Sequence, residues 1–173
     1  FVHFQVSAEI SSFLFWTTHP FHVFLSAWVT TAMYRLHDKG GVFRTIIIGY
    51  LGSIGVATLS DSLIPYVGEW LLDLPNRGVH LGFIEKWWLV NPLALLGIAA
   101  GYYLPRTKIS HAGHVLLSTW ASLFHMVMAL GTQIDVATWI LVALFLFLAV
   151  WVPCCTSDIV FPLLWVKDKG DAP

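Results

Sequence analysis

His-x-x-His-Val-x-Leu-Ser-x-Trp occurs twice in this chain, as HPFHVFLSAW at 19–28 and as HAGHVLLSTW at 111–120. Two imidazoles three residues apart lie near one side of a helix. Imidazole nitrogens ligate metals and pass protons near neutral pH. The motif is weak by itself and gains chemistry only when a carboxylate is in reach. Ser60-Asp61-x-x-x-Pro65 and Ser157-Asp158-x-x-x-Pro162 each supply one, in the same order, at an offset of 97 against 92 for the histidine windows. The chain from His22 to the turn HDKGG is about as long as the chain from that turn back to Asp61, so the two return to similar depth. His114 and Asp158 do likewise. The metal-ligand candidates are therefore His19, His22 and Asp61 in one unit and His111, His114, His125 and Asp158 in the other. Two histidines and a carboxylate form a ligand set for zinc, iron, manganese, cobalt or nickel, so a divalent metal ion is the cofactor or cargo this pattern implies.

The same helices carry longer polar stripes. His22, Ser26, Thr30 and Met33 follow at i, i+4, i+8 and i+11, and His114, Ser118, Ser122 and His125 repeat those intervals. Such a stripe faces another helix or a water-filled cavity, not lipid. Small hydroxyl side chains also let helices pack closely, which is the plain structural reading of Ser26, Thr30, Ser118 and Ser122. The plain reading of Asp61 and Asp158 is that each caps a short following helix, with proline in its next turn. Glu9 is a lone acid whose aligned partner is Gly101, and His3, His37 and His80 fall in ends or loops. Cys154 and Cys155 are adjacent in an apolar run and read as small buried hydrophobes. Trp70, Trp87, Trp88 and Trp165 read as interfacial anchors.

The elements that position these groups follow from composition. Of 173 residues 57% are hydrophobic and 11% charged, against about 25% charged in a soluble domain. Several runs free of charge are long enough to cross a hydrocarbon core of about 30 Å as a helix, and they are apolar on both parities, which excludes a barrel. No basic run of the kind that grips nucleic acid is present, so the partner is the lipid bilayer. The opening FVHFQVSAEISSFLFW lacks a basic leader and carries Glu9, so it does not read as a signal peptide.

Six segments are expected: about 1–16, 19–36, 42–73, 87–104, 111–131 and 134–166, the last kinked at Pro153. Thr18 is expected to cap the second, with Pro20 in its first turn, placing His19 and His22 at the positive end of a helix dipole. Ser110 has the matching place before His111. If each segment crosses once, Arg35, Lys39, Arg44, Arg106, Lys108, Lys167 and Lys169 share one face and only Arg77 and Lys86 the other. The rule that basic loops stay inside then puts the C-terminus in the cytoplasm of a multi-pass cell-membrane protein.

The fold expected is an all-α integral membrane protein of one domain, about six transmembrane helices arranged as two inverted three-helix repeats. Unit one covers about 1–73, a loop 74–86, and unit two about 87–167. Repeats of an odd number of crossings insert in opposite senses, a construction frequent in transporters. The expected function is a transporter or channel for a cation, either a divalent metal or a proton-coupled substrate, with no catalytic residue assigned and with a second copy completing the pathway. A membrane-embedded metalloenzyme with a His/Asp centre and a haem-binding membrane subunit are the competing readings.

Overall fold

The computed structural model describes residues 7–37, 40–130 and 136–166, except the side chains of Cys155, Ser157 and Asp158. His3, Cys155 and the Asp158 carboxylate thus lie outside the described residues. Among the described residues every regular element is helical. α1 spans Ala8–His37, α2 Val42–Thr58, α3 Ile64–Leu71, α4 Gly82–Glu85, α5 Trp87–Tyr103, α6 Lys108–Ala129, α7 Val136–Cys155 and α8 Phe161–Leu163. A π turn, Leu59–Leu63, joins α2 to α3, and another, Thr156–Val160, joins α7 to α8.

Among the described residues three helices are long and apolar enough to cross a membrane: Val42–Leu71, Lys108–Ala129 and Val136–Cys154. The first two expected segments are instead one continuous helix, α1, of 30 residues. Among the described residues five long rods stand where six segments were expected. Thr18 does not cap a helix start, because its Oγ1 donates back to Leu14 O at 2.8 Å, a bond that keeps the hydroxyl inside the running helix. Pro20 is therefore mid-helix, where it withholds one N–H from the ladder. Ser110 likewise lies within α6, donating to Arg106 O at 2.9 Å. His19 and His22 stand mid-rod, far from any helix end, so the expected dipole effect does not act on them.

α1 is the central post, packed along α6 on one side and α5 on another, with α2 completing the ring around it. Its contact with α5 is set by Gly97 and Gly101, four residues apart on an apolar helix, a spacing that lets two backbones approach. A Cβ on Gly101 would stand 2.5 Å from Trp28 O and 3.0 Å from Ala32 N. Beside this seam Val23, Ile54, Ala57, Val90 and Ala94 form the apolar core.

Helix ends gather into two groups. At one, the Trp28 indole donates to Leu104 O at 3.0 Å, Arg44 donates to Trp165 O, and the Arg35 guanidinium lies 4.3 Å from the Tyr102 ring centroid. At the other, Lys86 Nζ lies 5.6 Å from the Trp16 ring, and Asn76 N reaches Ala129 O at 3.4 Å. Arg35, Arg44 and Arg106 thus share the first end, as the charge pattern requires. α3 stops in a Schellman closure, with Leu74 N on Glu69 O at 3.0 Å and Asp73 at φ 50°. That turn sends residues 74–86 back across the second end of the bundle.

The α1–α5 seam yields a direct test. Gly101→Ala forces backbone apart and is expected to cost about 1–3 kcal/mol in thermal unfolding of the detergent-solubilised chain. Gly55, exposed and with open space where a Cβ would go, is the control: Gly55→Ala should be neutral or stabilising by up to about 1 kcal/mol.

Candidate functional site

The site grows out of the backbone around Asp61. A π turn bonds i to i+5, an α turn i to i+4. In the first register Pro65 would have to serve Ser60 O, and in the second Asp61 O. Proline has no N–H, so in either register one of these carbonyls loses its backbone donor. Two side chains of α6 reach the pair: Ser122 Oγ donates to Ser60 O at 2.9 Å, and His125 Nδ1 lies 2.5 Å from Asp61 O. Ser157-Asp158-x-x-x-Pro162 opens in the same way, in the second π turn. The two copies of this motif therefore share a backbone conformation as well as a spelling.

The Asp61 carboxylate is fully buried and does not cap the helix that follows. Its Oδ2 accepts from His19 Nδ1 at 2.8 Å and from His22 Nδ1 at 2.6 Å. Its Oδ1 accepts from Ser60 Oγ at 2.6 Å and from Ser118 Oγ at 3.2 Å. A carboxylate presents about four acceptor positions, and here all are used. Because a carboxylate only accepts, each Nδ1 carries the hydrogen, which leaves Nε2 as the other functional atom of both rings. His22 Nε2 is buried with no hydrogen-bond partner among the described residues. His22 stacks on His114, ring centroids 4.6 Å apart and planes 16° from parallel.

Toward the second end of the bundle the polar chain continues. His125 Nε2 lies 2.9 Å from Gly78 O and 3.3 Å from Glu69 Oε1. Glu69 Oε2 accepts from Gly78 N at 3.2 Å. The His80 ring stands 5.2 Å from that of His125, and its Nδ1 lies 3.4 Å from Glu85 Oε2, so His80 joins the chain from its loop. Phe15 fills the space among His19, His80 and His125. Polar groups thus follow one another from the bundle interior to His125 and Glu69, and the His80 ring lies against His125 at the half-exposed end.

Of the predicted residues, the structure brings together His19, His22, Asp61, His114, Ser118, Ser122 and His125. Ser26 and Thr30 are buried further along α1, whereas Met33 is only half-buried. His111 is half-buried, its ring 6.5 Å from that of His114, and it lines an open groove of about 520 Å³ between α6 and α7 with Val115 and Trp151. Cys154 is buried, as a small hydrophobe should be, and its Sγ also lies within 4.8 Å of ligand atoms of His22 and His114. Glu69, absent from the candidates, is fully buried. Its signal was the spacing to Asp61: a π turn uses one residue more than an α turn, so eight residues make about two turns and put both acids on one face.

Among the described residues two groups of buried side chains are close enough to hold a metal ion, His19–His22–Asp61 and His22–His114–Cys154. No protein-family model, curated protein or solved structure matches the chain.

The carboxylate's role predicts a rank order. Asp61→Asn replaces an acceptor by an amide that also donates into four donors, and is expected to lower stability by about 3–5 kcal/mol, the loss typical of breaking a buried pair. Ser122→Ala removes one neutral hydrogen bond and should cost about 1 kcal/mol. Equal losses in the two variants would contradict the assignment.

Proposed function

We propose that this chain is a polytopic membrane transporter or channel for a cation, a divalent metal ion or a substrate moved with protons. The observation that carries the reading is a carboxylate sunk among apolar helices and gripped by histidines and serines of α1 and α6, with a polar path leading out through His125 and Glu69. An ionisable group at such depth is expensive, and in membrane proteins it marks an ion or proton pathway. His125 and Glu69 exchange a proton along that path while the cation occupies the histidines.

The two units are inverted copies. In support, α1 and α6 run in opposite directions when each rod crosses once, and the residues that stack, His22 and His114, are equivalent positions of the repeat. Contact between equivalent positions is what a twofold axis produces. In the five-rod frame each unit is a helix pair, α1 with α2–α3 and α6 with α7–α8, and α5 is the odd crossing that inverts the second. The basic end, with the C-terminus, faces the cytoplasm of the cell membrane. A second copy of the chain completes the enclosure, since five rods leave the α6–α7 groove open on one side.

Reconstitution decides this. Proteoliposomes loaded with a metal-sensitive dye and a pH dye should take up Zn²⁺ or Co²⁺ with a coupled change in lumenal pH. Glu69→Gln should retain its helical circular dichroism and lose the coupled pH change, with uptake falling by roughly tenfold or more, the usual scale for removing a proton-transfer group. Uptake by wild-type liposomes no faster than by empty ones would overturn the reading.

A further inference from the structure

One buried nitrogen has no task in the network around Asp61. His22 gives its Nδ1 hydrogen to that carboxylate and keeps Nε2 buried without a partner among the described residues. A ring nitrogen of His22, one of His114 and Cys154 Sγ lie within 4.8 Å of one another, and all three residues are buried. We propose that this trio, drawn from α1, α6 and α7, is a binding site for a divalent cation of borderline softness, zinc foremost, and that Asp61 orients His22 from behind without ligating the ion.

Four lines of chemistry converge on it. First, the Asp61 oxygens are saturated by two imidazole and two hydroxyl donors, so an ion there would have to break a complete set of hydrogen bonds. Second, a metal-bound histidine characteristically gives its other ring N–H to a carboxylate, which fixes the tautomer and makes the ligating nitrogen more basic. Asp61 and His22 have that arrangement. Third, thiolate with imidazole selects zinc, cobalt and their neighbours and discriminates against magnesium and calcium, which require oxygen. Fourth, the charges cancel: a divalent ion, the Cys154 thiolate and the Asp61 carboxylate sum to zero, which removes the penalty of a net buried charge. The Cys154 thiol releases its proton to water as the ion binds.

Ligands about 2.1 Å from a tetrahedral ion stand roughly 3.5 Å apart, so small side-chain shifts close the trio. The near-parallel His22 and His114 rings must also open, by rotation about the His114 side chain, for both lone pairs to converge. Three protein ligands leave the fourth position for water, the pattern of sites that exchange what they hold and not of closed structural ones. The inference deepens the cation-transport reading by naming the chemistry of the cargo, and it depends on that reading only for the ion's being cargo.

The test uses the purified chain in detergent, titrated with Co²⁺ alone and then displaced with Zn²⁺. A thiolate-to-cobalt charge-transfer band in the near ultraviolet is expected in the wild type, with tetrahedral absorption in the visible. Cys154→Ser should abolish the band and weaken cobalt binding at least about tenfold, and His22→Gln and His114→Gln should weaken it similarly. Asp61→Asn should keep the band while binding about 10–100-fold more weakly, the effect of losing an outer partner. Cobalt bound by the wild type without a thiolate band would overturn the site whether or not the variants fold, as would a band that survives Cys154→Ser. Zinc uptake measured on the same preparation separates the two claims. A band without uptake supports this site and removes the transport reading, whereas uptake without a band leaves transport standing and overturns the site.

Discussion

The whole arrangement depends on a carboxylate that has been taken out of water. An ionised carboxylate in an apolar interior is tolerated only when donors replace its hydration, and Asp61 is given four, from α1, its own π turn and α6. Each donor is itself constrained by this demand. His19 and His22 must share a face of α1, Ser118 must arrive at the same depth on α6, and Ser60 must turn inward beside its neighbour. Three elements distant in sequence are thereby fixed in rotation and in height relative to one another. Apolar packing among helices in lipid supplies little of that register, because lipid tails are as good a solvent for leucine as another helix is.

The backbone cooperates through an absence. Pro65 withholds the N–H that either helical register would need, and the two carbonyls concerned become docking points for Ser122 and His125. The cost of interrupting the ladder is thus turned into a second set of bonds between the same two elements. The π turn also rotates the helix that follows, which is how Glu69 comes to share the face of Asp61 and to meet His125. A single local irregularity therefore accounts for the carboxylate's inward position, the anchoring of α6, and the polar chain toward the loop at 76–85. Its recurrence at Thr156–Val160 gives the duplicated motif a structural meaning beyond spelling.

Much of this was legible in the primary structure, and the failures have identifiable causes. The polar stripe on α6 held because serine and histidine at helical spacing in an apolar run have nowhere else to point. The pairing of His19 and His22 with Asp61 was legible from chain lengths on either side of the HDKGG turn. The break expected at Thr17-Thr18-His19-Pro20 does not occur. There a run of apolar and hydroxyl residues on both sides sustains the helix, and Thr17 and Thr18 bond back into it, so proline costs one bond and no termination. Met33, eleven residues or about three turns on from His22, returns to nearly the same face, yet it is only half-buried. Glu69 carried only its spacing to Asp61, a signal readable once the π turn is known, and the approach of Cys154 to His22 and His114 is a tertiary fact.

For function, one buried, fully partnered acid, the stacked pair His22 and His114 and a thiol near them are what lead from fold to cation chemistry. The account stands on the coupling between Asp61 and His22, and a double-mutant cycle measures that coupling directly. Asp61→Asn, His22→Gln and the double variant would be compared by reversible unfolding in mixed micelles. The account predicts an interaction energy of about 1.5–3 kcal/mol, in the range of contacting groups within one network. Additive effects, agreeing within about 0.5 kcal/mol as for independent sites, would contradict it.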